Sequence, residues 1–382
     1  MAQRSRELAA QGVDIINLAT GEPDFDTPPD IVEAAIKAMW DGQTRYTNAD
    51  GTPELKSAII EKFKRDNGLT YTADQVVVTN GAKQAIFNAM AATLREDDEV
   101  IVPLPCWVTY PDIVRFFGAS PVFVQCRAEH GFKLRPEDLE AAIGPKTRWL
   151  VLNSPCNPTG AIYSEKELCA LAEVLQHHPD VWVLSDDIYE HILLTDSSFA
   201  TMAAVNDDMY RRTLCVNGVS KAHCMTGWRI GYAAGPSRLA RAMATVQSQT
   251  TSNSCSISQA AAIAALNADQ SDVRTRNETY RARCDLVLER FEAIPGMSCH
   301  QPGGAFYLFP SCAAAIGKRT RNGVEISDDR AFAQYLLEEA NVAVVCGEAY
   351  GTSPHFRISI ASDTDVLAAA CDRIADAWSR LT

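Results

Sequence analysis

Val76-Val77-Val78-Thr79-Asn80-Gly81-Ala82-Lys83-Gln84 is an apolar run that passes through two small or polar residues straight into a helical pattern over residues 82–94. Branched residues in a row predict a buried strand, and the glycine predicts a sharp entry to the helix. A strand feeding a helix is the repeating unit of an α/β fold. The rhythm continues outward. Strand-like segments recur at residues 100–104, 121–125, 148–153, 181–185, 213–216 and 230–233, with helical patterns such as 165–177 between several of them. The expected large domain is therefore a mostly parallel sheet flanked by helices on both faces. Residues 277–293 read as a long, charge-laced helix at a boundary. Short strands at 305–309, 342–345 and 356–359 follow, with a closing helix over 364–380, as in a smaller α+β domain. The division expected is an N-terminal segment 1–25 packing on the small domain, a large domain 26–275 and a small domain 276–382.

The 382 residues suffice for about two domains with sizeable cores. A net charge of −13 argues against a nucleic-acid partner or an anionic membrane surface. No apolar run approaches the ~18 residues of a membrane span. Met1 to Gly12 is polar and lacks a signal-peptide core. The 12 cysteines stand singly, with no CxxC pair, and fit buried free thiols in a reducing compartment. A cytoplasmic protein is expected. No Cys/His cluster has ligand spacing, so no metal is expected. His177-His178, before Pro179-Asp180, reads as a solvated turn.

Ligands of an open α/β sheet bind beyond the carboxyl ends of its strands, and unusual residues stand at those ends here. The strand at 213–216 leads to Asn217-Gly218-Val219-Ser220-Lys221, and Arg229 follows eight positions later. A lysine with ordinary pKa ~10.4 is a poor nucleophile near neutral pH. Desolvated or beside other cations, it can bond to a carbonyl cofactor such as pyridoxal phosphate. The alternative is a surface lysine beside a structural arginine. Gly81-Ala82-Lys83 opens a helix whose free N–H groups suit a phosphate, or is a plain turn. Trp107 lies past the strand at 100–104 and can stack on a flat ring, or is core. Asn157 sits in the loop Asn153-Ser154-Pro155-Cys156-Asn157-Pro158-Thr159-Gly160, held rigid as a donor or simply turn-forming. Asp186 ends the apolar strand at 181–185 and wants a cation; a protonated pyridine nitrogen fits, and so does a helix cap. Tyr189 can donate to a ring oxygen or merely pack.

Taken together, NxxxK…MTGWRIGY, NSPxNPTG, SDxIYEH, GEPDFDTP, GAKQ and PxGAFY resemble the class I/II pyridoxal-phosphate-dependent aminotransferases, nearest the bacterial AspB-like aspartate aminotransferases. The resemblance covers nearly the whole chain and implies the fold type I of pyridoxal-phosphate transferases. It implies that Lys221 bonds the cofactor and carries the proton, and that Asp186 pairs with the ring nitrogen. Tyr189 and Asn157 would contact the ring's phenolic oxygen, and Trp107 would stack on the ring. Gly81, Ala82, Lys83, Ser220 and Arg229 would gather around the phosphate. Tyr46 would reach the phosphate of a partner subunit in a homodimer. Arg357 would grip the substrate α-carboxylate in a bidentate fork, with Gly21 beside it as a backbone donor.

Two departures stand out: the family often has Glu where this chain has Asp187, and Tyr where it has Cys106. Relatives also often carry a longer N-terminal arm. The region 248–256, where some aspartate-specific relatives offer an arginine, is built of Ser, Gln, Thr, Asn and Cys. No residue is assigned to a distal carboxylate. The activity implied is ping-pong transfer of an amino group, first between aspartate and 2-oxoglutarate, next with aromatic amino acids or prephenate. A β-lyase on the same scaffold would share every cofactor residue. A non-catalytic cofactor-binding regulator commonly appends a DNA-binding domain, for which the chain has no room. No GxGxxG follows a strand, which sets a nicotinamide dehydrogenase aside.

Overall fold

The computed structural model describes Ala10 and residues 12–382; the remainder of segment 1–25 lies outside the described residues. In chain order the strands are β1 (Ile16–Asn17), β2 (Val76–Thr79), β3 (Glu99–Leu104), β4 (Ser120–Gln125), β5 (Thr147–Asn153), β6 (Trp182–Asp186), β7 (Thr213–Gly218), β8 (Gly231–Ala234), β9 (Tyr307–Leu308), β10 (Val342–Ala343), β11 (Val345–Cys346) and β12 (Phe356–Ser359). Seven form one sheet in the order β2-β8-β7-β6-β5-β3-β4. All neighbours run parallel except β8, which is antiparallel to both β7 and β2. Two reversals leave β2 pointing the same way as β7, so six strands end at one edge.

Period-two alternation explains why both faces are covered. Val100 and Val102 of β3 enter one apolar cluster with Ile86 and Met90 of the helix Ala82–Thr93. Ile101, between them, enters another with Leu168, Leu171 and Leu175 of the helix Glu165–Gln176. Val77 and its neighbours Val76 and Val78 divide in the same manner, the latter two joining Leu55, Ile59 and Phe63 of the helix Pro53–Asn67. A strand buried on both faces must be apolar throughout, which is why these strands read as unbroken runs.

Helix ends follow local chemistry. Thr52 accepts from the Leu55 N–H, Pro53 opens the helix it caps, and Gly68 closes it in the left-handed region. Ser164 and Glu167 form a reciprocal capping box ahead of Glu165–Gln176. The carbonyls at its far end are met by buried Arg212, which donates to Leu175 O, His178 O and Val181 O.

The long helix spans Ser271–Glu292, starting six residues before the sequence pattern indicated. It packs with the helix Thr364–Ser379 around a core that includes Phe291, Phe306, Phe332, Phe356 and Trp378. β12 is central in an antiparallel sheet, flanked by β11 and β9. β10 separates from β11 and pairs in parallel with β1. Apolar residue Ile16 and Leu18 thereby join the same core.

One buried charge network lies beside the carboxyl ends of β6 and β7. Lys62 is 0% exposed and pairs with Glu190, which also accepts from Asn67 Nδ2 and Asn217 Nδ2. Burial pushes the Glu190 carboxyl up, yet Lys62, His191 and Asn67 outweigh it and hold its pKa below the usual value. Lys62→Met should cost about 3–5 kcal/mol, since it leaves an uncompensated buried carboxylate. Adding Glu190→Gln should recover most of that loss in denaturant titrations. In the single variant Glu190 becomes an acid with a raised folded-state pKa, so its penalty should shrink as pH falls through that raised value toward the unfolded carboxylate pKa of about 4.3, and change no further below it. In the parent protein the sign is opposite: the pair's stabilisation is present above that pKa and lost on acidification.

Candidate active site

The common strand edge gathers Thr79, Leu104, Asn153, Asp186 and Gly218. Register fixes their spacing: Asn153 lies beside Asp186, Thr79 beside Gly231, and Gly231 beside Gly218. Beyond this edge lies a cavity of about 550 Å³. Of the residues expected from sequence, Gly21, Ala82, Lys83, Trp107, Asn157, Asp186, Tyr189, Ser220, Lys221, Arg229 and Arg357 line it. Gly81 sits immediately behind as the residue preceding the helix Ala82–Thr93, with φ 80°. Tyr46 is elsewhere: its side chain is 90% exposed and is not part of the cavity wall.

Lys221 follows β7 on the connection to antiparallel β8. Its Nζ donates to the carbonyl of Gly21 at 2.6 Å. Burial lowers its pKa to about 8; Arg357 and Arg229 push it down as well, while Glu22 and Asp186 oppose. A lysine of this basicity offers a useful fraction of free amine near neutral pH.

Asp186, at the end of β6, is 3% exposed. Burial raises its pKa to about 6, against the opposing pull of the Tyr110 hydroxyl, the Ile188 N–H and Lys221. Tyr110 donates to Oδ2 at 2.6 Å and the Ile188 N–H to Oδ1 at 3.3 Å. Such a carboxyl is poised to hold a cation withdrawn from water.

At one end of the cavity the helix Ala82–Thr93 opens with no side-chain cap, leaving its first N–H groups available. Arg229 adopts φ 58° and donates to Thr226 O at 2.7 Å and Asn80 O at 3.4 Å. A Cβ on Gly81 would come within 2.2 Å of the Arg229 guanidinium, and a Cβ on Gly231 within 2.2 Å of the Ala82 amide nitrogen. Only glycines let arginine, turn and strand close into one cradle. With the Ser220 side chain beside it, this end presents donors and positive charge suited to a phosphate.

At the other end Arg357, from β12, is 6% exposed. It donates to Asn157 Oδ1 at 3.0 Å and Ala19 O at 2.6 Å, and its Nε is buried without a partner among the described residues. Its guanidinium lies over the Tyr307 ring, 4.4 Å from the centroid. A Cβ on Gly21 would approach the Tyr307 hydroxyl at 2.9 Å, so this wall too is built around a glycine. Tyr189 shares a 2.8 Å hydrogen bond with Tyr307, hydroxyl to hydroxyl. Trp107 forms a wall with Lys83 Nζ 4.7 Å from its ring centroid.

Sequence reasoning missed Tyr110, Asn153, Tyr307 and the rim residues Val108, Val345, Ala349 and Tyr350. Tyr307 belongs to the PxGAFY motif but received no role. Tyr110 stands three residues after Trp107, a helical spacing that would have placed both rings on one side.

In the cluster of ligand-type side chains among the described residues, Asp66 and Glu190 already pair with the Lys62 ammonium, and His191 lies against both carboxylates. No helix among the described residues is long and apolar enough to cross a membrane.

The family model for aminotransferase class I and II matches residues 13–374. The chain is 55% identical over 374 residues to the aspartate/prephenate aminotransferase of Cereibacter sphaeroides, covering 98% of this chain and 94% of that one. It is 52% identical over 379 residues to an aspartate aminotransferase of Rhizobium meliloti, covering 99% and 92%. The crystal structure of the aspartate aminotransferase from Rhizobium meliloti superposes with a TM-score of 0.98 at 52% identity, covering 100% and 95%. The aspartate aminotransferase from Thermus thermophilus with maleate gives 0.92 at 43%, covering 98% and 95%. The chain is an aminotransferase and belongs to the aminotransferase class I and II family.

Proposed function

We propose that the chain holds pyridoxal phosphate at Lys221 and moves an amino group between an L-amino acid, foremost aspartate, and a 2-oxo acid, foremost 2-oxoglutarate. The observation that carries this reading is the convergence, in one cavity, of a lysine of lowered basicity, a buried aspartate, a glycine-built anion cradle and a half-satisfied arginine. These residues fit the cofactor: Ala82, Ser220 and Arg229 at its phosphate, Trp107 against its ring, Asp186 at its ring nitrogen, Asn157 and Tyr189 at its phenolic oxygen. When bound, it supplies a carbonyl that takes up the substrate amine and a ring that withdraws electrons from the α-carbon.

The chain's own residues do the rest. Arg357 and the Gly21 backbone orient the α-carboxylate, which aligns the α C–H bond. Asp186 keeps the ring nitrogen protonated. Lys221 Nζ, as a free amine, would take the α-proton and hold it for return within the same cavity. Arg357 already spends two donors on Asn157 and Ala19, so a carboxylate must share or displace them.

Lys83 is the cavity cation with no hydrogen-bond acceptor or ion-pair partner among the described residues, and it is exposed at the rim. It therefore suits a second, distal carboxylate, which favours a dicarboxylic donor, although the sequence pattern put it at the cofactor. The relatives named for aspartate, and the neighbour solved with maleate, support that choice. An apolar rim of Val108, Val345, Ala349 and Tyr350 favours aromatic donors or prephenate as further substrates, in line with the relative named for both.

The fully exposed Tyr46 supports a homodimer in which it completes the partner's phosphate site. The pairing of β1 with β10 supports a division into segment 1–25, large domain 26–275 and small domain 276–382. Twelve free cysteines support a cytoplasmic setting.

Cofactor capture by the stripped protein should accelerate as pH rises, half-maximally near pH about 8, because only the neutral Lys221 amine reacts. Absorbance-monitored reconstitution reads this directly, and Lys221→Ala should abolish the borohydride-stable adduct. A midpoint near the ordinary ~10.4 would mean that burial leaves the amine unperturbed.

Arg357→Lys should lower kcat/KM similarly for aspartate and phenylalanine, since both carry an α-carboxylate. Lys83→Ala should lower it about tenfold, or ~1.4 kcal/mol, for aspartate alone. Equal losses for both donors in Lys83→Ala, with weaker cofactor retention, would return Lys83 to the phosphate end.

Mixing inactive Tyr46→Ala and Lys221→Ala subunits should restore part of the activity through hybrid dimers. Absence of rescue, with subunit exchange shown independently, would mean that each site is complete within one chain.

A further inference from the structure

Tyr110 follows Trp107 by three residues at the start of the helix Thr109–Phe116. Its N–H donates to Trp107 O at 3.1 Å, closing the turn that carries both rings to the same side. The Tyr110 ring is 3% exposed and meets the Trp107 ring edge-on, with centroids 5.5 Å apart at 87°. Its hydroxyl reaches Asp186 Oδ2 at 2.6 Å. Among the described residues no other side chain donates to that carboxylate; the Ile188 N–H is the remaining donor. One tyrosine thus ties the aromatic wall to the buried acid across different elements.

We propose that Tyr110 is a positioning residue that fixes the Asp186 carboxylate through its hydroxyl and biases the proton shared with a bound pyridine ring toward the ring nitrogen. The inference rests on the reading of the cavity as a pyridoxal phosphate site. Two basic atoms compete for one proton there. Burial makes Asp186 more basic than an ordinary carboxylate, which would let it keep the proton for itself. A hydrogen bond to a carboxylate favours its ionised form and works against that tendency. Lys221 acts in the same direction from the other side.

The neighbouring groups do not compete. Burial pushes the Cys106 thiol up to about 12 and raises that of Cys156, so both stay neutral. Burial, and the charge of Asp186, also hold the Tyr110 phenol well above its ordinary pKa, so it remains a donor. Phenylalanine at this position would keep the edge-on packing and lose only the donor.

The test uses the loaded protein with pyridoxal phosphate carrying an isotope-labelled ring nitrogen, read by nuclear magnetic resonance. The parent signal should sit at the protonated position. In Tyr110→Phe it should move toward the unprotonated position, by an amount matching a roughly tenfold redistribution of the proton. On an Asp186→Asn background the same change should add nothing. Replacement of Tyr110 by 4-aminophenylalanine, a weaker donor of similar size, should give an intermediate shift and serves where the phenylalanine variant does not fold. A purely structural tyrosine would lower the melting temperature and leave the nitrogen signal in place, which overturns the proposal. A parent protein that captures no pyridoxal phosphate removes the cofactor reading as well; a captured cofactor with an unmoved signal removes this inference alone.

Discussion

The sheet edge holds an acid away from water, and much of the molecule is arranged to make that tolerable. Asp186 ends a strand that is buried on both faces, between β5 and β7. A bare carboxylate there would be costly. Tyr110, the Ile188 N–H and the nearby Lys221 amine each offset part of that cost without removing the acid's hunger for a cation. Asp187, the next residue, is equally buried but turns to the opposite side. Ser185 and Thr201 hydroxyls donate to it, and burial raises its pKa far above the ordinary range. Adjacent aspartates thus have different fates: one aimed into the cavity, the other held within the packing.

The cavity is also a meeting of separate sheets and segments. Arg357 comes from the antiparallel sheet β11-β12-β9, Gly21 from the irregular segment after β1, and Lys221 from the connection between β7 and β8 of the large sheet. The Lys221 bond to Gly21 O and the Arg357 bonds to Ala19 O and Asn157 Oδ1 stitch all three together. Asp24 adds a bidentate pair with Arg283 of the long helix, which anchors the same segment from behind. In the proposed function, substrate recognition and fold closure draw on the same donors.

Much of this was legible in the sequence, for a physical reason. Strand residues that are buried on both faces must be apolar, so a charged or amide side chain closing such a run is conspicuous. Asp186, Asn157, Trp107 and Lys221 were found in that way, or by their place in a motif. Arg357 and Tyr46 needed the motif, since nothing local marks an arginine inside a short strand or a tyrosine in a loop. Tyr110 and Tyr307 escaped because their contacts arise between elements: one hydroxyl reaches from a helix to β6, the other lies between Arg357 and Tyr189. Element boundaries failed where propensity is ambiguous. The helix Ser256–Asn267 is rich in alanine and has no sharp apolar stripe, and no segment was singled out there. The reversal of β8 was equally invisible, because an apolar run has no direction.

The two glycine contacts at 81 and 231 divide the cavity by how far it can change. A single added carbon at either position would strike Arg229 or the Ala82 backbone at 2.2 Å, with no flexible path of escape on the backbone side. The anion cradle is thus closed to gradual substitution. The opposite rim is not: Val108 is 38% exposed, and Ala349 stands on an exposed turn. Side chains on the rim can change one at a time while the glycine-built cradle keeps its shape. Tolerance to substitution around the cavity is then a property of where the backbone leaves room.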